Sequence, residues 1–234
     1  MIWSIGLPAA RTRRGRNVKA DSYLQTAPND SGSCRIAAVN TKHTLRSAVI
    51  LHGTSDSPRK HWFKWLEDSL QHRGVEIWVP ALPEAERPDA ARYTSFLLES
   101  GWDFDNSLVI GHSSGADEIL HLLAALPDQV RVSCAVLVSP FLQPTPDEED
   151  YEQLLGLFAR PFEFVSAKAK CDQFIVVHGA DDPWCSANDA LEISMKLGGE
   201  FVLLPTGGHF VTSLDSRFTE FPELLEILEE RVFA

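Results

Sequence analysis

Short apolar runs alternate with stretches of helical periodicity along most of the chain, from residue 47 onward. Runs of strand length bounded by Gly, Pro, Asp or Asn predict six parallel strands, at residues 47–51, 75–79, 107–110, 132–138, 173–177 and 201–204. Segments of helical period predict helices at residues 61–73, 90–99, 114–126, 149–158, 187–197 and 221–232. This alternation is typical of an α/β fold, a mostly parallel sheet with helices on both faces.

The first 46 residues show no such pattern. Turn-forming residues cluster at 28–33, and residues 11–19 carry five basic side chains and no acidic one. We expect residues 1–46 to be a basic, mostly disordered extension and residues 47–234 to form a single domain. Transit peptides share a basic, acid-poor start, so organelle targeting is an alternative role for the extension.

The net charge of −12 is unevenly distributed. Residues 1–46 hold eight basic and two acidic residues, a net charge of +6, which leaves 13 basic and 31 acidic residues, a net charge of −18, for the rest. A body this acidic has no basic surface that could neutralise phosphates, so we expect no nucleic-acid partner and no binding to anionic lipid. No apolar run reaches eighteen residues, so we expect no membrane span.

The cysteines show no CxxC spacing; they are Cys34, Cys134, Cys171 and Cys185. The sequence therefore predicts neither a metal site nor a disulfide framework. It favours thiols in a reducing compartment, which we expect to be the cytoplasm.

One motif carries a specific chemical signal. The third predicted strand runs into Gly111-His112-Ser113-Ser114-Gly115 and then into an amphipathic helix, so a GxSxG motif lies in a strand-turn-helix context. We expect the turn to hold Ser113 in a strained conformation, with glycines that let strand and helix approach closely. Ser113 is therefore the candidate nucleophile. A Gly/Ser-rich turn or helix cap without reactivity is the alternative.

A serine hydroxyl needs a base and an orienting acid, and both follow later strands, in the order Ser, Asp, His. His209 follows the sixth predicted strand and is the candidate general base. Asp181 and Asp182 follow the fifth predicted strand, and only one of them can face His209. The spacing from Gly179 favours Asp182 as the acid, with Asp181 as the alternative.

The turn after the first predicted strand is expected to pass beside Ser113. The backbone N–H groups of Thr54 and Ser114 would then stabilise the oxyanion of a tetrahedral intermediate, and a plain strand-to-helix turn is the alternative. Two tryptophans are candidates for the substrate pocket. Trp184 lies beside the acid and is the better candidate, whereas Trp62 lies in a segment whose apolar residues most often belong to the core, with pocket lining as its alternative.

These elements together resemble the α/β-hydrolase fold, and more closely its small YdeN-like branch, which includes the retinoblastoma-binding protein 9 family of serine hydrolases. The resemblance covers residues 47–233 and rests on LHGTSDSPRKHWFKWL, VPALPEAERPD, GHSSG, RPFEF, GADDPW and TGGHF. It implies the roles of nucleophile, acid and base for Ser113, Asp182 and His209. The chain departs from the pattern in its long extension and at Cys185-Ser186, where the family often has an apolar residue and a proline.

The sequence therefore predicts a serine hydrolase of carboxylesterase type that cleaves small acyl esters through an acyl-enzyme, without a metal or organic cofactor. The 34 residues between the fourth and fifth predicted strands leave room for one or two helices, so we expect a minimal cap and a small pocket. The alternative is a binding or scaffold protein that keeps the fold without catalysis. The sequence does not indicate the oligomeric state.

Overall fold

The protein is described by a computed structural model over residues 45–144 and 151–234. All six predicted strands are present and pair in parallel, as β1 Ser47–Leu51, β2 Glu76–Trp78, β3 Leu108–His112, β4 Val132–Val138, β5 Cys171–Gly179 and β6 Glu200–Leu204. Their order across the sheet is β2-β1-β3-β4-β5-β6. The strand order therefore reverses between β1 and β3, which is where open α/β sheets bind their ligands.

Helices cover both faces of the sheet, as α1 Phe63–Gln71, α2 Ala90–Glu99, α3 Ser114–Ala125, α4 Tyr151–Leu154, α5 Phe164–Ala169, α6 Ala187–Leu197 and α7 Pro222–Arg231. One apolar cluster joins α2, α3, α5 and α6 to the sheet face that carries Val49 and Leu51. A second cluster joins α1 and α7 to the opposite face, which carries Ala48 and Ile50. The predicted parallel sheet with helices on both faces is confirmed, and its central strands β1, β3 and β4 are mostly apolar because both of their faces are buried.

Helical structure between β4 and β5 is shorter than predicted. Within the described residues, the helix predicted at 149–158 extends only over α4, and the short α5 follows it before β5. Gly156 interrupts the first helix: its carbonyl oxygen accepts the N–H of Ala90, and a Cβ here would lie 2.9 Å from the carbonyl oxygen of Pro88. Only glycine allows so close an approach to the start of α2. The described part of this segment therefore builds no large lid.

The expectation for the extension falls almost entirely outside the described residues, because these begin at residue 45. It stays a prediction. Among the helices that the structure describes, none is long and apolar enough to cross a membrane.

Candidate active site

The turn between β3 and α3 holds Ser113 in a strained backbone conformation. Its φ is 53° and its ψ is −128°, a combination that L residues rarely adopt. A Cβ at Gly111 would lie 2.4 Å from the carbonyl oxygen of Gly115, and a Cβ at Gly115 would lie 2.5 Å from that of Leu51. Because neither position can hold a side chain, close packing requires both glycines of the motif.

His209 and Asp182 are in direct contact where β6 and β5 end. Nδ1 of His209 donates to Oδ2 of Asp182 at 2.8 Å, and both side chains are at most 5% exposed. The carboxylate also accepts from Oγ of Ser139 at 3.0 Å and from the N–H groups of Trp184 and Cys185. Burial opposes ionisation of Asp182, but the hydrogen bonds from His209 and the two N–H groups outweigh it and lower the pKa to about 2. Asp182 is therefore ionised at neutral pH and orients the imidazole.

Asp181, the alternative acid, has different partners. Its Oδ1 accepts from the N–H groups of Gly207 and Gly208 at 2.9 and 2.8 Å. Gly208 has a φ of 50°, a left-handed conformation that turns the chain immediately before His209. Asp181 thus anchors the loop that carries His209, whereas Asp182 contacts the imidazole itself.

The loop after β1 passes directly against the turn at Ser113. A Cβ at Gly53 would lie 3.0 Å from Cβ of Ser113, and Oγ1 of Thr54 donates to Oγ of Ser114 at 2.9 Å. Ser114 is the first residue of α3, so its N–H has no acceptor within the helix and lies at the positive end of the helix dipole. The structure therefore brings together beside Ser113 the two residues expected to supply N–H donors.

The family model for serine hydrolases matches residues 48–230. The chain belongs to the serine hydrolase family. Among curated proteins, this serine hydrolase is similar to serine hydrolase RBBP9 of Rattus norvegicus, with 28% identity over 190 residues that cover 78% of this chain and 93% of the relative. It is also similar to YdeN of Bacillus subtilis (strain 168), with 25% identity over 185 residues that cover 78% of this chain and 94% of the relative. The resemblance stated from the sequence is confirmed.

Solved structures share the fold of this serine hydrolase. The crystal structure of the ydeN gene product of B. subtilis gives a TM-score of 0.72 at 22% identity and covers 79% of this chain and 97% of that chain. Est1E from Butyrivibrio proteoclasticus, in its structure with bound ferulic acid, gives a TM-score of 0.62 at 14% identity and covers 84% of this chain and 93% of that chain. The predicted α/β-hydrolase fold is therefore confirmed.

In this serine hydrolase, His112 of the GxSxG motif supports the loop of His209. Nε2 of His112 donates to the backbone carbonyl oxygen of His209 at 2.8 Å, and the two ring centroids lie 4.9 Å apart. Burial lowers the pKa of His112 to about 3, so its ring is neutral. Sequence reasoning missed this role, because the variable position of the motif carries no signal of a partner 97 residues away.

A second aspartate–histidine pair lies in the loop after β1 of the serine hydrolase. Nε2 of His61 lies 3.1 Å from Oδ2 of Asp56, and the N–H of Thr212 donates to Nδ1 of His61 at 3.1 Å. Because Nδ1 accepts this N–H, it carries no proton, so the ring proton is on Nε2 and faces Asp56. Burial opposes ionisation of Asp56, but the hydrogen bond from His61 outweighs it and lowers the pKa of the carboxyl group. The pair ties the loop after β1 to the loop after β6.

A cleft with a volume of about 830 Å³ opens at this edge of the sheet and is lined by both Ser113 and His209. Part of its lining is apolar and includes Phe141, Leu154, Pro183 and Trp184. Another part is polar or charged and includes Asp56, Lys60, His61, Asp189 and Thr212. The volume lies in the upper part of the range of small-molecule sites, so the pocket is larger than the sequence predicts.

The two tryptophans expected in the pocket lie in different environments. Trp184 is 48% exposed, lines the cleft and packs edge-on against His209, with 5.0 Å between ring centroids. Trp62 is fully buried, and its Nε1 donates to the carbonyl oxygen of Phe210 at 3.2 Å. The expectation that Trp62 lines the pocket is wrong. Trp62 lies immediately before α1 and faces the apolar cluster of α1 and α7, where it packs against Phe63 and Phe221.

Proposed function

We propose that this serine hydrolase cleaves uncharged carboxylic esters, with Ser113 as nucleophile, His209 as general base and Asp182 as orienting acid. The observation that carries the proposal is the 2.8 Å contact between Nδ1 of His209 and Oδ2 of Asp182, in a cleft that Ser113 also lines. With an ionised carboxylate at Nδ1, the imidazole keeps its proton there and offers Nε2 as the proton acceptor.

The reaction proceeds in two halves. Oγ of Ser113 attacks the carbonyl carbon and gives its proton to Nε2 of His209, while N–H groups of Thr54 and Ser114 stabilise the oxyanion, each by about 3 kcal/mol. The bond to the alcohol oxygen then breaks, and Nε2 returns the proton to the departing alcohol. Water, activated by His209, hydrolyses the acyl-enzyme in the same way and releases the acid. The proposed mechanism uses no metal or organic cofactor.

Oγ of Ser113 and Nε2 of His209 have to come within hydrogen-bond distance when substrate binds. Among the described residues, no hydrogen bond reaches Nε2 of His209, Ser113 included. Catalytic hydrogen bonds are often long in unliganded enzymes and shorten in the complex with substrate. Because Asp182 holds the imidazole and His112 holds the backbone of His209, rotation of the Ser113 hydroxyl is the simplest adjustment.

The lining of the cleft supports an uncharged ester as substrate. Phe141, Leu154 and Trp184 offer apolar surface for an acyl or aryl group. Two carboxylates and one lysine, Asp56, Asp189 and Lys60, line the cleft, and residues 47–234 carry a net charge of −18. Anionic substrates are therefore disfavoured by the electrostatic potential of the protein.

A fluorophosphonate probe tests the proposal, because it labels an activated serine and ignores one that is only folded. We expect the wild-type chain to be labelled and to hydrolyse nitrophenyl esters of short acids. Ser113→Ala should lose both labelling and hydrolysis while its circular dichroism stays unchanged. Ser213→Ala is the matched control, because Ser213 lines the same cleft and should leave labelling intact.

Two results would reject the mechanism. Labelling that persists in Ser113→Ala would place the nucleophile elsewhere. A folded wild-type chain that is neither labelled nor active on any ester of a panel of varied acyl length would favour a binding or scaffold protein instead.

A further inference from the structure

A third side chain joins the contact between Asp182 and His209. Cys185 lies three residues after Asp182, is partly exposed and lines the cleft. One ligand atom from each of Asp182, Cys185 and His209 lies within 4.8 Å of the other two. The three atoms are a carboxylate oxygen, a thiol sulfur and an imidazole nitrogen, and they come from the loops that follow β5 and β6.

We propose that these three side chains form a binding site for Zn²⁺ and that the bound ion inhibits the hydrolase. Zn²⁺ binds sulfur at about 2.3 Å and nitrogen or oxygen at about 2.0–2.2 Å, so the ligand atoms of a tetrahedral site lie roughly 3–4 Å apart. Nδ1 of His209 and Oδ2 of Asp182 are already 2.8 Å apart, so these two atoms need to separate slightly to admit the ion, and the sulfur of Cys185, which lies within 4.8 Å of both ligand atoms, needs to move closer.

The charges around the site suit a divalent cation. A carboxylate and a thiolate each carry one negative charge when they bind a metal, so these two ligands balance the charge of Zn²⁺. Asp56, Asp189 and Lys60 line the same cleft, so its lining carries one more negative than positive charge. A mixed set of nitrogen, sulfur and oxygen ligands favours Zn²⁺ over Mg²⁺ and Ca²⁺, which take six or more oxygen ligands.

The carboxylate is already held in place for this role. Oγ of Ser139 and the N–H of Trp184 both donate to Asp182, and neither contact depends on His209. Such partners orient a metal ligand and raise the affinity of a site. The carboxylate therefore keeps its position when the ion replaces the proton between it and the imidazole.

Inhibition follows from the two nitrogens of the imidazole, and this consequence rests on the proposed function. When the ion binds Nδ1 of His209, the ring proton moves through solvent to Nε2, and the thiol proton of Cys185 is released. When the ion binds Nε2, that nitrogen is occupied directly. In both cases Nε2 cannot accept the proton of Ser113.

Binding is tested without substrate, by titrating the full chain with Co²⁺, which occupies Zn²⁺ sites and gives a charge-transfer absorption band with a thiolate. We expect one Co²⁺ per chain, with this band, displaced by Zn²⁺. In Cys185→Ser the band should disappear, and the affinity for Zn²⁺ in competition with a chromophoric chelator should fall at least tenfold. Cys34→Ser is the control and should keep both. Absence of the band in the wild type, or its persistence in Cys185→Ser, overturns the proposal.

Inhibition is tested with ester hydrolysis, each variant being compared with its own rate in EDTA. Zn²⁺ should inhibit the wild type, EDTA should restore its rate, and Ca²⁺ and Mg²⁺ should have no effect. Cys185→Ser should need at least tenfold more Zn²⁺ for half-inhibition, and equal inhibition in this variant would overturn the proposal. If Cys185→Ser fails to fold, Cys185→Ala and the Co²⁺ spectrum of the wild type decide. A chain that binds Co²⁺ through Cys185 but hydrolyses no ester keeps the metal site and rejects the proposed function.

Discussion

Two aspartate–histidine pairs lie beside the cleft, and they differ in which ring nitrogen faces the carboxylate and in what contacts the other nitrogen. Asp182 pairs with His209 at 2.8 Å and Asp56 with His61 at 3.1 Å, and in each pair the carboxylate side chain is at most 5% exposed. The pKa of both carboxyl groups is lowered. In the first pair, Nε2 of His209 has no hydrogen bond to any described residue. In the second, Nδ1 of His61 accepts the N–H of Thr212.

The contact with Thr212 distinguishes His61, which holds two loops together, from His209, the candidate general base. A histidine can take a proton from a nucleophile only through a ring nitrogen that no other donor occupies. Both nitrogens of His61 are engaged, by Asp56 and by Thr212. A buried aspartate beside a histidine is therefore insufficient evidence for catalysis, and the remaining nitrogen decides the role of the ring.

The largest expected effect comes from breaking the first pair. Asp182→Asn should lower kcat for ester hydrolysis by about ten thousand-fold, because an amide no longer holds the imidazole in the form that leaves Nε2 open. The measurement is steady-state kinetics, with fluorophosphonate labelling of Ser113 falling in parallel. A loss below about a hundred-fold would contradict the role proposed for Asp182, and a larger loss in Asp181→Asn would transfer that role to Asp181.

Breaking the second pair should have a smaller effect, because it displaces catalytic groups and removes none of them. His61→Ala should lower kcat by about ten- to a hundred-fold with little change in KM, because small displacements of catalytic groups cost this much. His61→Asn should recover part of the loss, since its carbonyl oxygen can still accept the N–H of Thr212. His72→Ala is the control, because His72 is exposed beyond the end of α1. A loss in His61→Ala as large as in His209→Ala would make His61 a catalytic residue.

The sequence was sufficient to predict the first pair but not the second. Ser113, Asp182 and His209 follow strands whose carboxyl ends converge at one edge of a parallel sheet, so their meeting follows from the order of strands alone. The contact between His61 and Thr212 joins two loops across 151 residues, and it depends on packing that no local pattern encodes.

The position of Trp62 is a second feature that the sequence did not predict. Trp62 lies immediately before α1 with a helical backbone, and its ring packs edge-on against Phe63 and Phe221. Whether a side chain at this position faces the cleft or the core depends on the packing of α7, which no local pattern of the sequence shows. The cleft depends on loops such as the one at Phe141, and its volume could not be derived before their packing was known.

Asp181 lies next to Asp182 but has no histidine partner among the described residues. Asp181→Asn keeps an acceptor for the N–H groups of Gly207 and Gly208 but loses the charge that strengthens both hydrogen bonds. We expect kcat to fall less than about tenfold and Tm to fall by about 2–4 °C. Thermal unfolding and kinetics on the same samples provide the check. A kcat loss without a change in Tm would indicate a direct role in the reaction.

The smallest effect is expected at Glu118, a buried carboxyl group with no histidine partner in the part of the chain that the structure describes. Glu118 is buried in α3, where Oε1 accepts from Oγ1 of Thr94 at 2.7 Å, and burial raises its pKa well above the usual value. Above the unfolded pKa of about 4, folding therefore requires Glu118 to take up a proton or to bear an unfavourable charge, and this cost grows with pH. Glu118→Gln removes the cost and keeps the acceptor for Thr94. Its Tm should equal that of the wild type at pH 4 and exceed it by at least about 2 °C at pH 8.

Asp182→Asn is the matched control for the stability measurement, because it should give the opposite sign. The pKa of Asp182 is lowered to about 2, so its ionised form stabilises the fold at neutral pH, and this contribution disappears as pH falls from about 4 to about 2. Asp182→Asn should therefore lower Tm at pH 8, by an amount that shrinks towards zero in acid. Thermal unfolding of both variants over a pH series separates the two environments. If both variants shift Tm in the same direction at pH 8, then pairing with histidine does not distinguish the buried carboxyl groups of this protein.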